Sequence, residues 1–210
     1  MSAEERALLE QMVATARSLY ERGYSFGAAG NISVRAVDRV FITPTNSSFA
    51  SLTVEGIAAV DLDGNVLGAS TPSKEAHFHL AAYRARPEAG AVVHLHSTYA
   101  TAVSCLRDLD LDDALPVLTP YYAMRIPRLP VVAYYPPGDP RLAPEVREKA
   151  AVSPALLLRN HGSVTIGRTL AEAAALAEEI EEQARLWFLL GERGRTLTGE
   201  EVAELRKRFR

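Results

Sequence analysis

Apolar residues recur at helical spacing from the start of the chain. Leu8, Leu9, Met12, Val13, Ala16, Leu19 and Tyr20 share one stripe. Ser2 and Glu5 are spaced as a capping box ahead of it, and Gly23 suits its C-terminal stop. The pattern then changes to strand-like segments. The tight turn Gly27-Ala28-Ala29-Gly30-Asn31 leads into a strand over Ile32 to Arg35, and a second strand runs from about Arg39 to Ile42 into Thr43-Pro44-Thr45-Asn46. A third, Ile57 to Leu62, turns at Asp63-Gly64 and returns through Val66 and Leu67. After Thr71-Pro72-Ser73 the spacing predicts a helix from about Lys74 to Ala85, stopped by Pro87.

Ala91 to His96 reads as a strand and Thr98 to Leu106 as the helix after it. Leu115 to Tyr135 is rich in Pro, Tyr and β-branched residues, which predicts loops with one or two strands. Pro136-Pro137-Gly138 breaks that stretch before a helix from about Pro140 to Ala151. Strands over Ala155 to Leu158 and Val164 to Ile166 flank His161-Gly162. Thr169 and Glu172 then open a long helix to about Leu190, with Leu176, Ile180, Ala184, Trp187 and Phe188 turned inward. Thr198 and Glu201 repeat the capping signal for a terminal helix. With no repeat or linker, the pattern predicts one layered α/β domain over residues 1–210.

Composition narrows the function classes. A net charge of −3 without a broad basic surface argues against nucleic acid as the main partner. No apolar run is long enough to span a membrane, and the charged N-terminus has no signal-peptide core. Cys105 is the single cysteine, which excludes an internal disulfide and fits a cytoplasmic protein. Its neighbours Ala102, Val103 and Leu106 predict a small buried residue rather than a nucleophile.

The candidate chemistry centres on Val92-Val93-His94-Leu95-His96. Side chains two apart on a strand share a face, so His94 and His96 can aim at one point, and His161 at another strand end can join them as a third imidazole. Glu75, read alone, is a helix-start carboxylate. His77 and His79 point about 200° apart on a helix and cannot share a metal; His79, one turn beyond Glu75, suits packing, hydrogen bonding or support of that carboxylate. The Gly27 to Ser33 turn, Thr43 to Asn46 and Ser73-Lys74 are ordinary turn and cap residues that would form a phosphate cradle if they converged. Lys74, one of three lysines, also admits a Schiff-base mechanism, but that leaves the histidine pair unexplained. Arg206-Lys207-Arg208 reads as a solvated helix face. Tyr121, Tyr122, Tyr134 and Tyr135 suit core, interface or proton-donor roles.

Gly30-Asn31-Ile32-Ser33, Thr43-Pro44-Thr45, Pro72-Ser73-Lys74-Glu75, Ala91 to Ser97 and Asn160-His161-Gly162 occur in the order and spacing of the class II aldolase/adducin family. The resemblance covers roughly residues 5 to 190. Within the family, Pro72 to Glu75, His94 to Leu106, Thr119 to Arg125 and Tyr134 to Asp139 are most similar to the 3-oxo-tetronate 4-phosphate decarboxylase branch.

The resemblance implies a three-layer α/β/α sandwich around a mainly antiparallel sheet, assembled as a homotetramer. It implies a zinc site, also open to manganese or cobalt, on His94, His96 and His161, with Glu75 as catalytic acid/base and as a metal ligand when substrate is absent. Asn31, Thr45, Asn46, Ser73 and Lys74 match positions around a substrate phosphate, and Tyr121 or Tyr122 would be the proton donor to a neighbouring subunit. Asn46 stands where the sugar-phosphate aldolases usually have Gly, and Lys74 replaces a second Ser. The activity implied is decarboxylation of a 3-oxo-tetronate 4-phosphate to dihydroxyacetone phosphate and CO2 through a metal-stabilised enediolate. The alternative is a ketose-phosphate aldolase of the fuculose-phosphate type; a third class in the family is the adducin-like interaction module with an eroded metal site.

Overall fold

The structure, a computed structural model, describes residues 1–208. Helix α1 (Ala3–Glu21) starts in the Ser2/Glu5 capping box, each partner bonding the other's backbone N–H, and buries Leu9, Met12, Ala16 and Leu19. Strands β1 (Asn31–Arg35), β2 (Arg39–Ile42), β3 (Ala58–Asp61) and β4 (Val66–Leu67) follow as antiparallel neighbours. Then come α2 (Ala76–Ala85), β5 (Ala91–Leu95), α3 (Thr98–Ser104), α4 (Pro120–Arg125), β6 (Val131–Val132), α5 (Leu142–Val152), β7 (Ala155–Leu158), β8 (Gly162–Gly167), α6 (Leu170–Leu190) and α7 (Gly199–Arg208).

The strands form one sheet in the order β4-β3-β2-β1-β5-β8-β7-β6, antiparallel throughout except for β6 beside β7. Strand alternation divides the core. Ile32, Val34, Val93 and Leu95 face α1 and α6; Val92, Val164, Ile166 and Leu156 face α2 and α5. The three-layer arrangement around a mainly antiparallel sheet is therefore present. Among the described residues no helix is long and apolar enough to cross a membrane.

Several local expectations need correction. Helix α2 begins at Ala76, two residues later than the pattern predicts, because Ser73, Lys74 and Glu75 form the turn that leads into it; Glu75 occupies the N-cap and makes no side-chain cap bond. The loop-and-strand stretch contains α4, started by Thr119 accepting from the Tyr122 N–H and by Pro120 at the first helical position. Cys105 is exposed, since α3 ends at Ser104 and the cysteine lies past its buried face. Phe188 is exposed near the end of α6, where the helix runs beyond the sheet that covers Leu176, Ile180 and Ala184. Glu172 bonds the N–H of Arg168 rather than that of Thr169, so only half of that capping box forms.

Two tight approaches place the histidine-bearing ends. Gly162 opens β8 where an added Cβ would lie 2.2 Å from the Leu95 carbonyl oxygen, so only glycine lets β8 run against the end of β5. Gly162→Ala is expected to cost about 1–3 kcal/mol of stability through this overpacking. It should also displace His161, to be checked by thermal melts and cation-binding titration together. At Asn160 the backbone takes φ +54, a left-handed conformation that asparagine tolerates. This turn is tied to α3, with Asn160 N–H donating to the Ser104 carbonyl and His161 N–H to Leu158 O and Ser104 Oγ.

Candidate metal centre and phosphate cleft

His94 lies on the α2 face of β5, and His96 follows one residue past the strand end on the same side. His161 arrives from the turn between β7 and β8. The ligand atoms of the three rings all lie within 4.8 Å of one another, with His94 Nε2 and His96 Nε2 2.9 Å apart. His94 Nδ1 donates to the Ser163 carbonyl at 2.8 Å. A carbonyl only accepts, so Nδ1 carries the proton and Nε2 of a neutral ring presents a bare lone pair to the cluster.

Glu75 completes the convergence. Its Oε2 lies 3.4 Å from His94 Nε2 and its Oε1 3.5 Å from His161 Nε2. Burial is the main force holding the rings neutral: His94 is driven well below the ordinary imidazole range, His96 to about 4, and His161 downward despite the pull of Glu75. Glu75 Oε1 is a buried carboxylate oxygen with no hydrogen-bond partner. A carboxylate oxygen and imidazole lone pairs aimed at one point, without donors enough to satisfy them, suit a divalent cation; three nitrogens and one oxygen are a donor set that zinc accepts.

Neutral buried histidines make stability pH-dependent. His79, fully buried behind the cluster, is held to about 3 by desolvation. The unfolded chain protonates these rings near pH 6.5 and so binds more protons than the fold below that value. Their contribution is intact above about pH 6.5 and is lost as the pH falls towards the folded values, by up to about 1.4 kcal/mol per pH unit for each ring. Melts of chelator-treated protein should therefore decline steeply from about pH 6.5 to about 4.5, and a flat profile would contradict the buried neutral rings.

The cluster forms one end of a cleft of about 220 Å³. Asn31, Thr45, Asn46, Ser73 and Lys74 all line it, together with Glu75, His96, His161 and Pro137. Two loops are zipped together here: Thr45 N–H donates to Thr71 O, Ser73 N–H donates to Thr43 O, and Pro44 and Pro72 form a bridge. Asn46 has φ +56, which explains physically how asparagine fills a place where glycine is usual. Lys74 is exposed at the mouth, its stem against Gly138. His77 spans from Lys74 O to Asp139 O, holding the 136–139 loop as a wall of the cleft.

The remaining candidates fall elsewhere. Tyr122 is buried in the core beside α6, and burial drives its hydroxyl far above its ordinary range. Tyr121 is 62% exposed on α4, and neither tyrosine lines the cleft. Tyr134 is exposed, and Tyr135 is hydrogen-bonded to Glu145. Pro137 escapes sequence reasoning, as does the joining of Ser33, read there only as part of the Gly27 to Ser33 turn, to Tyr83. The signal for that joining is the four-residue spacing of Glu75, His79 and Tyr83 against the alternation of Asn31 and Ser33.

A sequence profile described as the class II aldolase and adducin N-terminal domain matches residues 10–188. The chain is 51% identical over 201 residues to a 3-oxo-tetronate 4-phosphate decarboxylase of Haemophilus influenzae, covering 95% of this chain and 96% of that one. An L-fuculose phosphate aldolase of Methanococcus maripaludis is 37% identical over 182 residues, 87% of this chain and 97% of that one. The crystal structure of YgbL from Escherichia coli superposes with a TM-score of 0.94 at 46% identity, covering 96% of this chain and 99% of that one.

Proposed function

The chain belongs to the class II aldolase and adducin N-terminal domain family, and from that premise we propose that it is a metal-dependent carbon–carbon lyase that decarboxylates a 3-oxo-tetronate 4-phosphate to dihydroxyacetone phosphate and CO2. The observation that carries the reading is 47–51% identity to four 3-oxo-tetronate 4-phosphate decarboxylases over nearly the whole chain. The convergence of His94, His96, His161 and Glu75 beside a cleft that suits a phosphate supports it.

The substrate carries a carboxylate β to a ketone. A divalent cation held by His94, His96 and His161, for which we take zinc, would supply Lewis-acid polarisation of that ketone, worth several kcal/mol as an order of magnitude. The residues of the chain bind and position. Lys74 offers a point charge at the mouth, and the backbone N–H groups and hydroxyls of the Thr45–Asn46 and Ser73 loops suit the phosphate oxygens. Loss of C1 as CO2 leaves an electron pair at C2, delocalised onto the C3 oxygen. Glu75, protonated at that stage, delivers its proton to C2 and completes dihydroxyacetone phosphate. In a homotetramer Tyr121 on α4 would be accessible to a neighbouring copy as a further proton donor, whereas Tyr122 is enclosed.

One preparation, loaded with zinc and offered 3-oxo-tetronate 4-phosphates and ketose 1-phosphates in parallel, tests the reading. CO2 and dihydroxyacetone phosphate from the sugar acid are expected. Aldehyde release from a ketose phosphate, without CO2 from any sugar acid, would replace it with the aldolase reading that the Methanococcus relative represents.

A further inference from the structure

Behind Glu75 the strand period meets the helix period. Asn31 and Ser33 alternate onto the α2 face of β1, while Glu75, His79 and Tyr83 succeed one another at four-residue spacing along the start and body of α2. Their side chains join in one buried line. Asn31 Nδ2 donates to Glu75 Oε2 at 2.8 Å, and Asn31 Oδ1 lies 2.5 Å from His79 Nε2. His79 Nδ1 lies 2.7 Å from Ser33 Oγ, which lies 2.9 Å from the Tyr83 hydroxyl. Ser33 and His79 are wholly inaccessible to solvent and Tyr83 nearly so.

The chemistry of these groups gives the line a direction. Carboxylate oxygens only accept, so the amide nitrogen of Asn31 faces Glu75 and its carbonyl must accept from His79. The imidazole, neutral in its dry site, therefore carries its single proton on Nε2. Nδ1 is then an acceptor, which obliges Ser33 to donate to it and leaves Ser33 Oγ to accept from Tyr83. Every donor points towards Glu75.

We infer that His79, backed by Ser33 and Tyr83, is a positioning group for the acid/base carboxylate: it locks the Asn31 amide so that its donor is held against Glu75 Oε2. The inference rests on the reading of Glu75 as the acid/base residue. Reversing the amide would set a carbonyl oxygen against a carboxylate oxygen in a buried site, where two facing acceptors are costly. The line opposes that reversal, because His79 would have to move its proton from Nε2 to Nδ1 and both hydroxyls would have to turn round with it.

The first test needs no turnover. In metal-free protein labelled with 15N-histidine, His79 should show the Nε2–H tautomer without titrating between about pH 5 and about 9. A dominant Nδ1–H tautomer overturns the inference. The second test compares two variants. His79→Gln keeps an N–H at the distance of Nε2, whereas His79→Asn places its amide at Nδ1 and leaves Asn31 Oδ1 without a donor. His79→Asn is expected to lower kcat by roughly 10- to 100-fold, the usual cost of losing a partner of this kind, with KM within about twofold. His79→Gln should recover at least about tenfold of that loss. Equal kcat losses in the two variants, or a loss confined to KM, overturn the inference. Tyr83→Phe keeps the packing and removes only the donor to Ser33 Oγ, so His79 should keep the Nε2–H tautomer, because Asn31 Oδ1 still accepts from it; a switch to Nδ1–H in this variant overturns the inference. Wild-type protein that carries the Nε2–H tautomer but releases no CO2 would sink the functional reading alone, so the two failures are distinguishable.

Discussion

Glu75→Gln is expected to lower kcat by about 10²- to 10⁴-fold, the range associated with losing a positioned general acid/base, while the metal-free protein melts no lower than wild type. The stability half follows from the geometry. In the metal-free fold Oε1 has no hydrogen-bond partner and Oε2 accepts from Asn31, with the bare Nε2 of His94 3.4 Å away. A glutamine carbonyl can keep the Asn31 bond, and its NH₂ would face His161 Nε2 in place of the unpartnered Oε1. The substitution thus removes a buried charge without leaving an acceptor stranded. The activity half follows because an amide cannot deliver a proton to C2. Circular dichroism, cation titration and CO2 release on one sample separate the two effects. A variant that binds the cation and turns over normally would remove Glu75 from its role, and one that melts far below wild type would contradict the orphaned oxygen.

The distribution of legible and illegible features has a physical basis. Capping chemistry is local, so α1 and α7 are marked by Ser2/Glu5 and Thr198/Glu201, and both pairs form reciprocal bonds. The histidine pair is legible because strand alternation alone sets two rings on one face. Asn31 and Ser33 read as turn and strand-start polar residues until α2 is laid over β1. Only that packing turns Asn31 inward, between Glu75 and His79 at the floor of the cleft, and makes His79 more than a core histidine. Helix α4 is six residues long and contains two tyrosines, so its only signal is Thr119-Pro120. Cys105 misleads because its neighbours are apolar while the helix ends one residue before it. The strand order is likewise non-local: β5 beside β8 brings the two histidine-bearing segments together, β1 beside β5 sets Asn31 opposite His94, and no short pattern encodes those pairings.

His161→Ala should weaken cation binding by at least about 100-fold, taking roughly a quarter of the binding energy of a four-ligand site as one ligand's share. Activity at stoichiometric metal should fall to background and return in part with excess cation. The turn itself should survive, since the backbone N–H of residue 161 is held by Leu158 O and Ser104 Oγ, and the close passage of Gly162 beside Leu95 does not involve the ring. Removing a ring at 8% exposure from the cleft edge leaves space that water can enter. His94→Ala should lose the cation as well, but at a structural cost. Its ring is completely buried, donates to the Ser163 carbonyl and meets Phe78 edge-on at 5.5 Å. Its loss opens a cavity and strands an acceptor, a penalty of about 3 kcal/mol by analogy with large aromatic deletions. Cation titration should therefore show similar losses in the two variants, while melts of the metal-free proteins separate them by several degrees. Equal melting temperatures would mean that His94 is not anchored as the geometry requires. Retained stoichiometric metal in His161→Ala would mean that the turn between β7 and β8 supplies no ligand.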